Sequence, residues 1–164
     1  MRSLNRNVLI SIVLSVLVTL SLFASTFNGS VRPAYAANNY VVSSLNDIGS
    51  GSLRDAITQV NGGAGGDTIT FSVTGTILLN STLPDLSKNV TITGPGASLL
   101  TIDGSNANRL VWIAGNVIVN LSGLTITHFT TNLNISAIAN DGILSVRDVV
   151  FSNNISKNVN GGVQ

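Results

Sequence analysis

The stretch Val119-Asn120-Leu121-Ser122-Gly123-Leu124-Thr125-Ile126-Thr127 alternates apolar and polar residues, breaks at Ser122-Gly123, and alternates again. A shift of 25 positions returns the pattern. Val119, Leu121, Leu124 and Ile126 fall on Leu144, Val146, Val149 and Phe151, and the break falls on Arg147-Asp148. Strand alternation repeated at this period predicts a solenoid, in which each coil buries its inner face only against its neighbours. Two alternating segments joined by a two-residue break also fit a hairpin. Arg147-Asp148 contains no Gly or Asn to supply positive φ, so a corner between consecutive strands of one coil is expected instead.

Composition agrees with a chain of strands and turns. Charged residues make up 9% of the chain and all seven acidic residues are Asp. Helix surfaces usually carry Glu and Lys, so their scarcity argues against a helical protein. The apolar content is mainly Val, Ile and Leu, which stack well on pleated surfaces. Arg2, Arg6 and Arg32 lie near the start; beyond Ala36, Arg54, Lys88, Arg109, Arg147 and Lys157 face seven Asp, a net charge of −2. A mildly acidic body offers nucleic acid no electrostatic footprint. No cysteine is present, which rules out a disulfide framework.

Outward from the repeat, residues 1–36 carry the features of a secretory signal. Arg2 and Arg6 give a positive start, Val8–Ala24 is uncharged and largely apolar, and Ala34-Tyr35-Ala36 supplies a small-x-small cleavage pattern. The alternative is a retained membrane anchor, although Ser11, Ser15, Thr19 and Ser21 weaken the apolar run. Cleavage after Ala36 is expected. Residues 37–66 then read as an N-terminal cap made of a strand at Tyr40–Ser43 and one helix, Ser52 to about Asn61. Leu53, Ala56, Ile57 and Val60 form one helical stripe, Ser52 and Asp55 are placed for a capping box, and Gly62-Gly63 stops the helix. A single amphipathic helix ahead of a β repeat suggests a lid over the open end of the coils.

Residues 67–164 read as the coils themselves. Strands are expected at Thr68–Phe71, Thr76–Leu79, Val90–Thr93, Leu99–Ile102, Leu110–Ile113, Val117–Leu121, Leu124–Thr127, Ile143–Val146 and Val149–Ser152, with a weaker one at Ala137–Ala139. In the strand around Trp112, either Val111 and Ile113 or Leu110 and Trp112 could point inward. The chain stops within a repeat element, so the solenoid is expected to be incomplete at its C-terminal end and prone to end-to-end association.

Gly51-Ser52-Leu53-Arg54-Asp55-Ala56-Ile57 resembles the CSLREA motif of exported bacterial β-helix proteins, with Gly in place of Cys and Asp in place of Glu. Gly66-Asp67-Thr68-Ile69-Thr70-Phe71, Thr91-Ile92-Thr93-Gly94-Pro95-Gly96-Ala97 and Ser122-Gly123-Leu124-Thr125-Ile126-Thr127 resemble the same group. Phe151-Ser152-Asn153-Asn154 and Gly161-Gly162-Val163 are similar to elements of polymorphic outer-membrane protein repeats. The resemblance implies an all-β, right-handed parallel β-helix of the pectin-lyase-like kind, secreted or held at the cell surface, often through an anchoring tail.

Such scaffolds often act on polysaccharides, so the carboxylates need weighing. Glycoside hydrolysis uses two carboxylates flanking one bond. On the 25-residue period Asp148 maps to Gly123, Asp103 near Thr127 and Asp141 near Asn116, so no acidic pair stacks. Asp103 and Asp141 precede Gly, where a turn role suffices. His128 stands alone in sequence without Cys or a neighbouring acid, which is poor support for a metal, and reads as a corner or surface residue. Arg147-Asp148 reads as a solvated corner, Trp112 as a strand residue rather than a sugar platform, and Asn153-Asn154 as the start of an internal amide ladder. Asn80-Ser81-Thr82 and Asn120-Leu121-Ser122 are glycan acceptors only in a host with that machinery. Asn61 to Gly66 lacks the Lys-Ser/Thr ending of a phosphate loop.

No catalytic, cofactor-binding or metal-binding residue is therefore assigned within the chain. The expectation is a structural or adhesin-like segment that contacts surface glycans or proteins. Membrane contact is expected only through the signal or a C-terminal anchor. The alternative is the leading part of a polysaccharide lyase or glycoside hydrolase.

Overall fold

The structure is a computed structural model, and it describes residues 36–106, 109–131 and 137–157. These form a parallel β-solenoid of about 4 turns with a single short helix. The elements run β1 (Asn39–Val42), α1 (Leu53–Gly62), β2 (Asp67–Phe71), β3 (Gly75–Leu78), β4 (Val90–Thr93), β5 (Leu100–Asp103), β6 (Val111–Ile113), β7 (Ile118–Thr127), β8 (Thr130–Thr131), β9 (Ile138–Asn140), β10 (Ile143–Ser152) and β11 (Ile155–Ser156).

The quoted stretch decides this architecture. It forms one ten-residue strand, β7, bent at Ser122-Gly123. The first half of β7 pairs with β4 and its second half with β5, so one strand serves two faces of the coil. β10 lies parallel to β7 with Leu144 on Val119, Val146 on Leu121, Val149 on Leu124 and Phe151 on Ile126. That is the register of the 25-residue repeat.

Four segments expected as separate strands, Val117–Leu121 with Leu124–Thr127 and Ile143–Val146 with Val149–Ser152, are thus two bent ones. The corner turns through left-handed backbone at Gly123 (φ 67°) and at Asp148 (φ 54°). The expected corner is present but is not free of positive φ: Asp148 itself takes the left-handed conformation, which a short polar side chain tolerates.

Earlier rungs follow the same columns at less regular steps. Ile69 pairs with Ile92, Ile92 with Leu121 and Leu121 with Val146, steps of 23, 29 and 25 residues. The extra residues are taken up in corners such as Gly94–Ser98. On the second face Ile77, Ile102, Ile126 and Phe151 stack in the same way. Narrow third and fourth faces are built from β6 with β9 and β8 with β11, and Leu86 bridges to Ile113. β5 starts at Leu100 rather than Leu99, which is half exposed in the preceding turn. The ambiguous strand resolves with Val111 and Ile113 buried, Leu110 buried at its entry and Trp112 outward and half-buried.

Among the described residues the buried core is aliphatic apart from Phe129, seated against Gly104; a Cβ at 104 would stand 2.5 Å from its ring. Helix α1 buries Leu53, Ala56, Ile57 and Val60, the expected stripe. Leu53 and Ile57 line an apolar cavity of about 30 Å³ together with Leu83, Leu86 and Ile92, so the helix side chains enter the coil interior. At roughly 0.8 kcal/mol per buried CH₂, burial of this stripe favours docking of the helix. At the other end, Val146 and Phe151 occupy inward columns yet remain 43% and 48% exposed.

Candidate functional site

Three polar clusters stand out on this scaffold. The first surrounds α1. Ser52, fully buried, caps the helix by accepting from the Asp55 amide at 3.2 Å. Asp55 reaches back to the Gly51 amide at 3.0 Å rather than to Ser52, whose own amide donates to the Gly49 carbonyl at 3.2 Å. Arg54 lies between them and points away from the core. Its guanidinium pairs with the buried Asp47 and donates to the carbonyls of Ser81 (2.9 Å) and Thr82 (2.8 Å). The other Asp47 oxygen accepts from the Asn80 amide at 3.2 Å. At the far end of α1, Asn61 donates to the Asp85 carbonyl (2.7 Å) and accepts from the Ser87 amide (3.0 Å). Each residue of the Gly51–Ile57 motif thus caps, staples or packs the helix. Asn80 belongs to this staple, and Asn61–Gly66 ends the helix.

The second cluster pairs Asp103 with His128. His128 Nδ1 lies 2.9 Å from Asp103 Oδ2, while Asp103 Oδ1 accepts from the Ser105 amide at 2.8 Å. His128 has φ 55°, which turns its side chain back over the rung below instead of continuing the strand. Burial acts to raise the Asp103 pKa. The His128 hydrogen bond, the Ser105 amide and the His128 charge together outweigh it, so the carboxyl sits below its ordinary value. No acid neighbours His128 along the chain; its partner lies one rung away. The 25-residue period, which sets position 128 one rung from position 103, was the signal that could have found it. Chemically, the pair is an imidazole oriented by a carboxylate, 41% and 19% exposed.

The third set is structural. Trp112 Nε1 donates to Asp141 at 3.0 Å, tying the β6 rung to the turn after β9. Asn154 accepts from the Phe129 amide (3.0 Å) and donates to the Ile126 carbonyl (2.9 Å). Asn154 thus stitches backbone of the rung below, where the equivalent residue is Phe129, and Asn153 takes a left-handed turn. Arg147 and Asp148 form an exposed pair at 3.6 Å. Gly161-Gly162-Val163 lies outside the described residues, as does the segment up to residue 35 expected to be a signal.

The outward positions also stack. Thr68, Thr91, Asn120 and Ser145 lie in register on one face, and Thr76, Thr101 and Thr125 on the next, about 4.8 Å apart per rung. Asn120 is therefore exposed on a strand face, 3.4 Å from the Thr91 hydroxyl. Among the described residues no group of three or more His, Cys, Asp or Glu could hold a metal ion, and no helix is long and apolar enough to cross a membrane. No family model matches the chain, and no curated protein or solved structure matches it.

Proposed function

We propose that the chain is a helix-plugged segment of an exported β-solenoid of the CSLREA type, acting as a structural or adhesin-like element at the cell surface or in the medium. The observation that carries this reading is the last described rung. Val146 and Phe151 stand in the inward columns and yet are nearly half exposed, so the stack presents a ready seat for another coil laid strand on strand. A scaffold that grows by repetition suits reach. Its flat ladders of Thr, Asn and Ser offer hydroxyl and amide groups to glycans or protein partners. The charged start, apolar run and Ala34-Tyr35-Ala36 pattern support export with cleavage after Ala36. Expression in a bacterial host followed by N-terminal sequencing of exported material tests it. A start at Ala37 supports the reading; retention of the full chain in the cytoplasm overturns it.

The second reading, a carbohydrate-active β-helix, draws on the Asp103–His128 pair. Incubation with pectin and related polymers, against a His128→Ala control, separates the two.

A further inference from the structure

We infer that Asp67 is the built receptor for the α-ammonium group released when the chain is cut between Ala36 and Ala37. This rests on the export reading above. Asp67 opens β2 and occupies an inward column that continues as Val90, Val119 and Leu144. A carboxylate heading an aliphatic column is expensive unless it is fully partnered. Asp67 is only 2% exposed. Its Oδ1 accepts from the Asn38 amide (2.8 Å) and side chain (3.4 Å), whereas Oδ2 is buried without any hydrogen-bond partner.

The missing partner has a natural source. The nitrogen of Ala37 lies one residue from the Asn38 amide already bound to this carboxylate, about 3.5 Å of chain. In the uncut chain that nitrogen is a peptide amide with one hydrogen and no charge. Hydrolysis of the Ala36–Ala37 bond by a signal peptidase consumes one water. It leaves a carboxylate on Ala36 of the released segment and an ammonium on Ala37. The ammonium has three donors, freedom to rotate, and a positive charge matched to Asp67. Gly63 provides the room. A Cβ there would stand 2.9 Å from Asp67 Oδ2, and Gly63 and Asn38 also line an open hollow together with Ala36, Gly62 and Ala64. Cleavage thereby locks the first rung onto the second: β1 is already paired with β2 from Asn39 to Val42, and the new charge pair extends that seam to the chain end. Folding is completed by processing.

The test uses the mature chain beginning at Ala37, produced by cutting a fusion in vitro, so that its outcome does not depend on where cells cleave. Four proteins are compared by urea unfolding at low concentration: the free amine and the Nα-acetylated form, each with Asp67 and with Asp67→Asn. Acetylation should raise the unfolding equilibrium constant about tenfold or more with Asp67 present, the scale of a charge-assisted hydrogen bond, and leave the Asp67→Asn protein unchanged. Should Asp67→Asn not fold, a chain carrying one extra Gly before Ala37 takes its place, and it should lose the same tenfold. The α-amine of the free chain should also react with an acylating reagent several-fold more slowly than in that displaced form. Equal stability of free and acetylated chains, or an equal acetylation effect without Asp67, overturns the inference. Export and cleavage after Ala36 would stand untouched by such a result.

Discussion

At the scale of single residues, the corners carry the strictest demands. Gly123 has φ 67°, and a Cβ there would lie 2.5 Å from the Gly94 carbonyl oxygen of the preceding rung. Gly123→Ala combines left-handed strain with a backbone collision and is expected to cost about 2–3 kcal/mol in urea unfolding. At the equivalent corner, Asp148→Gly relieves a left-handed non-glycine residue and should be neutral or stabilising by up to about 1 kcal/mol. Asp103 supplies a pH-dependent contact. Its pKa is lowered in the folded chain, so its stabilisation is present above the ordinary value of 3.8 and disappears as pH falls through the folded value. Partial exposure and solvent screening keep the effect modest. Asp103→Asn should flatten the acid limb of a stability profile below about pH 4. An identical acid limb in both proteins would contradict the contact.

Elements add a second layer of constraint. Helix α1 was legible in outline because its stripe and cap are local, and Leu53, Ala56, Ile57 and Val60 are the buried face. The role of Arg54 was not legible: its partners Asp47, Ser81 and Thr82 come from two loops that only the folded chain brings to it. Arg54→Ala strands the buried Asp47 carboxylate and should destabilise by about 3 kcal/mol. Arg54→Lys should recover little, since an ammonium cannot reach three acceptors as a planar fork. Ser52→Ala should cost about 1 kcal/mol through loss of the cap. β10 is the element left with inward side chains in water, and charge placed there should act on association rather than on folding.

For the whole molecule, that exposed rung predicts behaviour in solution. Among the described residues β10 has one strand partner, β7, and its other edge offers free backbone groups beside Val146 and Phe151. A chain beginning at Ala37 should self-associate with increasing concentration in sedimentation velocity, and Val146→Lys with Phe151→Asp should return it to monomer. A monodisperse wild-type monomer at high concentration would refute the prediction. The solenoid itself was written locally. Apolar alternation at a 25-residue period fixes which side chains face inward, because a strand's faces alternate residue by residue and a register slip would turn them all outward. Turns at Gly and Asn, the helix stripe and its cap are likewise decided by near neighbours in the chain. Only the tertiary structure could decide that rungs step by 23 and 29 residues as well as 25, that His128 folds back onto Asp103, that Arg54 staples two loops, and that Asp67 heads an apolar column with one oxygen unpartnered. Most of those contacts join residues about one coil apart, through side-chain direction and corner geometry that spacing along the chain does not encode.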